Sequence, residues 1–157
     1  MSQKGFTLIE LMITLAVLAI ILGIAVPSFS SMLRDTRASS LGSELHGALQ
    51  FARSEAVKRR LDVVICRRNA GGSSCDAGTD WSAGWLVQQS GGDVIKVWDS
   101  AQGLVIVGPN AGVTFRGNGM AAASDFSVKP ALCSGQQKRE IALTATGTAT
   151  LKKAGCQ

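Results

Sequence analysis

No tyrosine occurs in this 157-residue chain, and histidine occurs once, at His46. A solitary histidine cannot complete a common zinc set, and with no C-x-x-C around any of the four cysteines a metal site is not expected. No G-x-S-x-G surrounds a serine, so His46, between Leu45 and Gly47 on a helical stretch, has no Ser-His-Asp setting and reads as structural. The Gly-rich stretches NAGGSSCDAG and QSGGD lack the Lys-Ser/Thr ending and the strand-to-helix setting of a phosphate loop. Asp76, Asp80, Asp93 and Asp99 stand in or beside turns, at spacings that match no calcium loop. Neither an enzyme nor a cofactor is expected. Trp81, Trp85 and Trp98 read as core residues at strand spacing; a surface tryptophan among basic residues would suggest stacking on nucleic acid or glycan instead.

What is present begins with hydrophobicity. From Phe6 to Val26 the chain is apolar or small apart from Thr7, Glu10 and Thr14, a run of about 31 Å as a helix, long enough for the roughly 30 Å core of a bilayer. An ordinary secretory signal fits poorly, because the run is long, Glu10 stands near its start, and the only small-x-small site is Gly23-Ile24-Ala25. A plain membrane anchor would explain neither Glu10 nor the Gly5-Phe6 junction. Helical periodicity resumes after Pro27, with Phe29, Leu33, Leu41, Leu45, Ala48, Leu49, Ala52 and Ala56 at three- and four-residue steps. One long helix over about 6–60 is expected, apolar all round in its first half, amphipathic in its second, and kinked or loosened near Pro27.

Beyond residue 60 the period shifts towards two. Strands are predicted at 61–66, 84–89, 94–99, 104–108, 113–117, 126–129, 139–145 and 148–153, separated by turn signals such as Ser90-Gly91-Gly92-Asp93 and Gly117-Asn118-Gly119. The expected fold class is α+β, with the amphipathic half of the helix lying across an antiparallel sheet. No internal repeat is evident, and no disordered tract separates helix from strands.

Cys66, Cys75, Cys133 and Cys156 follow the apolar segment, which suits disulfides in an oxidising compartment. Of three possible pairings, Cys66 with Cys75 and Cys133 with Cys156 are favoured: the first closes a Gly/Ser loop, and the second ties down the tail KKAGCQ. Net charge is +5, with a basic concentration over 53–68.

The stretch KGFTLIELMI resembles the class III signal of type IV pilins and type II secretion pseudopilins: a short basic leader ending in Gly, then Phe, then an apolar helix with Glu in its first turns. ALQFARSEAVKRRLDVVIC, W-S-A-G-W and the strand-rich end with Cys133 and Cys156 are similar to the GspH/FimT branch, which takes in minor pilins and the secretion pseudopilin GspH. The resemblance implies a leader at 1–5, a transmembrane and filament-core helix at 6–26, and a periplasmic pilin-like head at 27–157. It also implies cleavage between Gly5 and Phe6 by prepilin peptidase, N-methylation of Phe6, and residence in the bacterial inner membrane before assembly into a pilus. After cleavage the Phe6 amine of one subunit can pair with Glu10 of a neighbour and fix the axial offset between helices, which makes Glu10 an assembly residue.

The expected role is that of a FimU-like minor pilin in a tip complex that primes pilus assembly and supports twitching motility and adhesion. Its partners would be other minor and major pilins, prepilin peptidase and inner-membrane lipid. The alternatives are a type II secretion pseudopilin and a FimT-like DNA-binding pilin. For DNA the sequence is unpromising, since the G-R-x-R pattern of such pilins is replaced by Gly147-Thr148-Ala149-Thr150, without the arginines that grip phosphate. Arg67, Arg68, Lys138, Arg139, Lys152 and Lys153 could still form a basic patch of another shape.

Overall fold

A computed structural model describes residues 5–99 and 102–156, without the side chains at 24 and 26–28. The chain divides into two units, residues 1–34 and 35–157. Helix α1, Leu8–Arg59, supplies the described helical part of the first unit and the opening element of the second. It stays helical through Pro27, so the loosening expected there does not interrupt the element.

In the first unit the large apolar side chains from Phe6 to Leu22 are half exposed or more, from 86% at Phe6 to 50% at Leu22. This segment buries nothing within its own unit. Among the described residues no helix is long and apolar enough to cross a membrane, and the expected span at 6–26 includes side chains at 24 and 26 that lie outside the described ones.

In the second unit α1 becomes one-sided. Ala38, Leu41, Leu45, Ala48, Leu49, Ala52 and Ala56 are buried, at the helical spacing of the apolar positions. Small residues let the strands come close: a methyl group at Gly42 would lie 3.1 Å from Arg139 Cβ and 3.4 Å from Leu151 Cδ1.

Eight strands follow: β1 Val63–Arg67, β2 Gly84–Gln89, β3 Val94–Asp99, β4 Leu104–Val107, β5 Val113–Phe115, β6 Ser124–Pro130, β7 Lys138–Leu143 and β8 Ala149–Ala154. Each falls in or overlaps a predicted strand. The single sheet expected from sequence is instead two four-stranded sheets, ordered β3-β2-β1-β5 and β4-β6-β7-β8, antiparallel throughout. The division follows from β4, which pairs with β6 rather than with β3, while β5 returns to the edge of β1.

Val63, Ile65, Trp85, Val87 and Phe115 from the first sheet join Ile106, Val128, Ile141 and Leu143 from the second and the buried face of α1 in one core. Trp81 stitches the sheets together: its N–H donates to Ile106 O (2.9 Å), its indole Nε1 donates to Pro109 O (3.2 Å), and its ring meets Phe126 edge-on at 5.2 Å. Trp85 is fully buried and stacks on half-buried Trp98 at 6.1 Å, with Lys96 Nζ 4.7 Å from the Trp98 ring. The two buried tryptophans are core, and no open indole face is left on them for a base or sugar.

Disulfides join Cys66 to Cys75 and Cys133 to Cys156. The first closes the loop between β1 and β2; the second holds the last residues, where Cys156 N–H also donates to Gly135 O (3.0 Å).

Candidate assembly site

Gly5, Phe6 and Thr7 precede the first helical residue, Leu8. Thr7 stands at the N-cap position, and Glu10 falls three residues later. The Glu10 carboxylate accepts from Thr7 N–H (3.2 Å) and Thr7 Oγ1 (3.1 Å), while Glu10 N–H donates to Thr7 Oγ1 (3.3 Å). This is a capping box, in which N-cap and third residue satisfy each other's donors. A carboxylate here also favours the positive end of the helix dipole. Glu10 is therefore already engaged within its own chain, a role that the Thr-x-x-Glu spacing signals and that the sequence reading of Glu10 as an assembly residue left out. Phe6 beside it is the most exposed large apolar residue of the segment.

Near the start of the amphipathic half, Asp35 is clamped by two strands. Arg139 of β7 donates through Nη2 to Asp35 Oδ1 at 2.7 Å, and Lys153 of β8 donates to Oδ2 at 3.1 Å. These partners, the Arg139 hydrogen bond foremost, hold the Asp35 carboxyl below its usual range. Arg139 is only 6% exposed and is further tied to Gln136 O and Lys138 O, both at 3.2 Å. His46 Nε2 lies 3.0 Å from Ala149 O and pins β8 to the helix, which gives the lone histidine its structural task.

The six basic residues grouped from sequence do not make one patch. Arg67 ends β1 in the first sheet and Arg68 follows it directly; Lys138, Arg139, Lys152 and Lys153 belong to β7 and β8 in the second. Arg67 pairs with Asp76 (3.3 Å) and donates to Ala77 O, and Arg68 pairs with Asp99 (3.3 Å) and donates to Ala83 O. Arg139 is buried, so it leaves the surface altogether. Lys138 pairs with Glu140 at 2.7 Å and draws the Glu140 carboxyl below its ordinary value. Lys152 alone of the six has no ion-pair partner among the described residues. Lys138, Glu140, Asp125 and Lys152 line a groove of about 420 Å³ on the outer face of the second sheet, where charges of both signs alternate. Gly147 to Thr150 form the turn into β8 and its first residues. Among the described residues no group of three or more His, Cys, Asp or Glu could hold a metal ion.

Comparison with known proteins agrees with this architecture. Residues 42–147 match the family described as type II transport protein GspH, and residues 1–26 match the prokaryotic N-terminal methylation motif. The chain belongs to the GspH family of minor pilins and pseudopilins, structural subunits rather than enzymes. A fimbrial protein of Pseudomonas aeruginosa is 31% identical over 124 residues, covering 74% of this chain and 75% of that protein. Prepilin peptidase-dependent protein D of Escherichia coli K12 is 33% identical over 80 residues, 50% of this chain and 47% of that protein. In fold, the type IV minor pilin FimU of Pseudomonas aeruginosa is similar with a TM-score of 0.61 at 23% identity, over 78% of this chain and 96% of that one. The minor pseudopilin EpsH of the Vibrio cholerae type 2 secretion system is similar with a TM-score of 0.53 at 13% identity, over 74% and 97%.

Proposed function

We propose that this protein is a FimU-like minor subunit of a type IV pilus, part of a tip complex that primes assembly and supports twitching motility and adhesion. Prepilin peptidase cuts between Gly5 and Phe6, Phe6 is N-methylated, and residues 6–26 sit in the inner membrane with the head at 27–157 in the periplasm until the subunit enters the filament. The carrying observation is the first unit: a helix with apolar side chains exposed on all sides, headed by the Thr7–Glu10 box. Continuous apolar surface of that kind needs lipid or neighbouring helices to cover it. Partners are therefore other major and minor pilins. Glu10 exchanges its bond to Thr7 for the Phe6 amine of a neighbour as the helices come together.

A type II secretion pseudopilin is the second reading, favoured by the match to the GspH description over 42–147. DNA capture has less behind it, because five of the six basic candidates are already paired with carboxylates. A clean deletion complemented with the wild-type chain tests the assignment. Lost piliation and twitching with intact export supports the pilus, and lost export with normal pili transfers the protein to the secretion system.

A further inference from the structure

The end of the head at the C-terminus of α1 is a built platform. The chain leaves the helix through Arg60, which adopts a left-handed conformation with φ 56°. Arg60 N–H donates to Val57 O and Leu61 N–H to Ala56 O, both at 3.3 Å, the bond pair of a Schellman ending. Glycine is the usual residue at that position, and an arginine there costs about 1 kcal/mol. Strain of this kind is retained mostly where the side chain has work to do.

Two turns close over the helix end. In the turn at 116–120, Gly119 N–H donates to Arg116 O (2.7 Å) and Arg116 N–H to Met120 O (2.8 Å). A methyl group at Gly117 would lie 2.7 Å from the Arg60 carbonyl carbon, and one at Gly119 would lie 3.0 Å from Val57 Cγ2. The turn at 144–148 packs on the first so closely that a methyl at Gly147 would collide with Gly119 O, which also accepts from Arg53 Nε at 3.2 Å. Helix end and turns are thus locked in register by backbone contact.

On this rigid base Val57 and Met120 are exposed, 49% and 45%, with Leu61 at 48%. Arg60 and Arg116 flank them, both exposed and both without an ion-pair partner among the described residues. Glu55 is occupied by Lys58 and Arg59, and Asp62 pairs with neither free arginine. An apolar centre with Met, bordered by unpaired guanidinium groups, has the composition of a protein interface. Nucleic acid would instead call for cations across the centre itself.

Resting on the filament-subunit reading, we propose that this platform docks the head of another filament subunit, one that presents an apolar patch flanked by carboxylates. Each guanidinium receives a carboxylate in bidentate fashion, and Val57 and Met120 fill the dry centre.

The test uses the full chain in a strain lacking its own copy, with a photoreactive benzophenone amino acid at the exposed position 145. Irradiated filaments are expected to yield an adduct with a second pilin-like subunit at an Asp- or Glu-containing segment. Arg60→Glu with Arg116→Glu is expected to lower that adduct at least about tenfold, the scale of one lost desolvated charge contact. Processed chain should stay within about twofold, since both side chains are exposed and unpaired. Should the double variant accumulate poorly, Arg116→Ala alone, in an exposed turn, is expected to lower the adduct by about fivefold at normal chain levels. An adduct unchanged by charge reversal, an adduct with nucleic acid alone, or none in filaments that contain the chain overturns the docking proposal. Wild-type chain absent from filaments overturns the filament reading and the docking proposal with it, and the incorporation blot identifies that case.

Discussion

Glu10→Gln and Glu10→Ala should differ at the first turn of α1 and agree in the filament. Glutamine can serve as the third residue of a capping box, so Glu10→Gln keeps the bonds now made to Thr7 N–H and Oγ1 at 3.2 and 3.1 Å. Glu10→Ala loses both. These bonds are exposed and rather long, which places their loss at the low end of cap energies, about 0.5 to 1 kcal/mol. Pairing with a neighbour's Phe6 amine asks for something else, a full negative charge. Removing one partner of a desolvated ion pair costs about 3 to 5 kcal/mol, more than a hundredfold in equilibrium incorporation. Both Glu10 variants should therefore be cut normally after Gly5 and be nearly absent from sheared filaments. Thr7→Ala, which weakens the cap and leaves the charge, should enter filaments within about fivefold of wild type. The assay is a quantitative immunoblot of sheared filaments against total processed chain, with N-terminal mass to verify cleavage. Wild-type incorporation of Glu10→Gln, with Glu10→Ala and Thr7→Ala both failing, would show that the cap rather than the charge matters and would refute the pairing argument.

Other consequences concern the head. Asp35→Asn leaves the Arg139 guanidinium, 6% exposed, without its carboxylate, and should cost about 3 kcal/mol in a denaturant titration; a loss under 1 kcal/mol would mean that Gln136 O and Lys138 O suffice. Because the folded-state pKa of Asp35 is lowered, its contribution is complete above the unfolded carboxylate value and is lost as pH falls through the folded one, so the wild type should lose an acid-stability increment below about pH 4 that Asp35→Asn lacks. Replacing Cys133 and Cys156 together by serine opens a loop of sequence separation 23 and should cost about 3 kcal/mol, read as a fall in thermal midpoint under oxidising conditions. Arg60→Gly should raise stability by about 0.5 to 1 kcal/mol in the same titration while weakening the proposed docking, and a destabilised variant would remove the strain argument.

The extent of α1 and the eight strand windows were legible because they are local: periodicity, turn residues and the step from 3.6 to 2 at residue 60 all lie within short windows. The split into two sheets was not legible, since β5 pairs with β1 and β4 with β6 across long stretches of chain, and nothing in either strand names its partner. The basic residues are more instructive, because the signal that separates them was available. Arg139 shares its parity on β7 with buried Ile141 and Leu143, and Lys138 shares its own with the outward Glu140, so alternation alone sends Arg139 into the protein. Arg67 and Arg68, adjacent on or beside one strand, point apart for the same reason and meet Asp76 and Asp99 separately. Counting charges along the sequence found a basic protein; counting them by strand parity finds a head whose cations mostly hold its own loops and edges together. Two of the cations without an ion pair, Arg60 and Arg116, come from a helix ending and a turn where no parity applies, and their meeting is decided by Gly117 packing on the Arg60 backbone. A surface assembled in that way is visible only once the turns are folded onto the helix. Within this fold, unpaired charge at such a junction is better evidence of a partner than a larger number of paired charges anywhere else on the head.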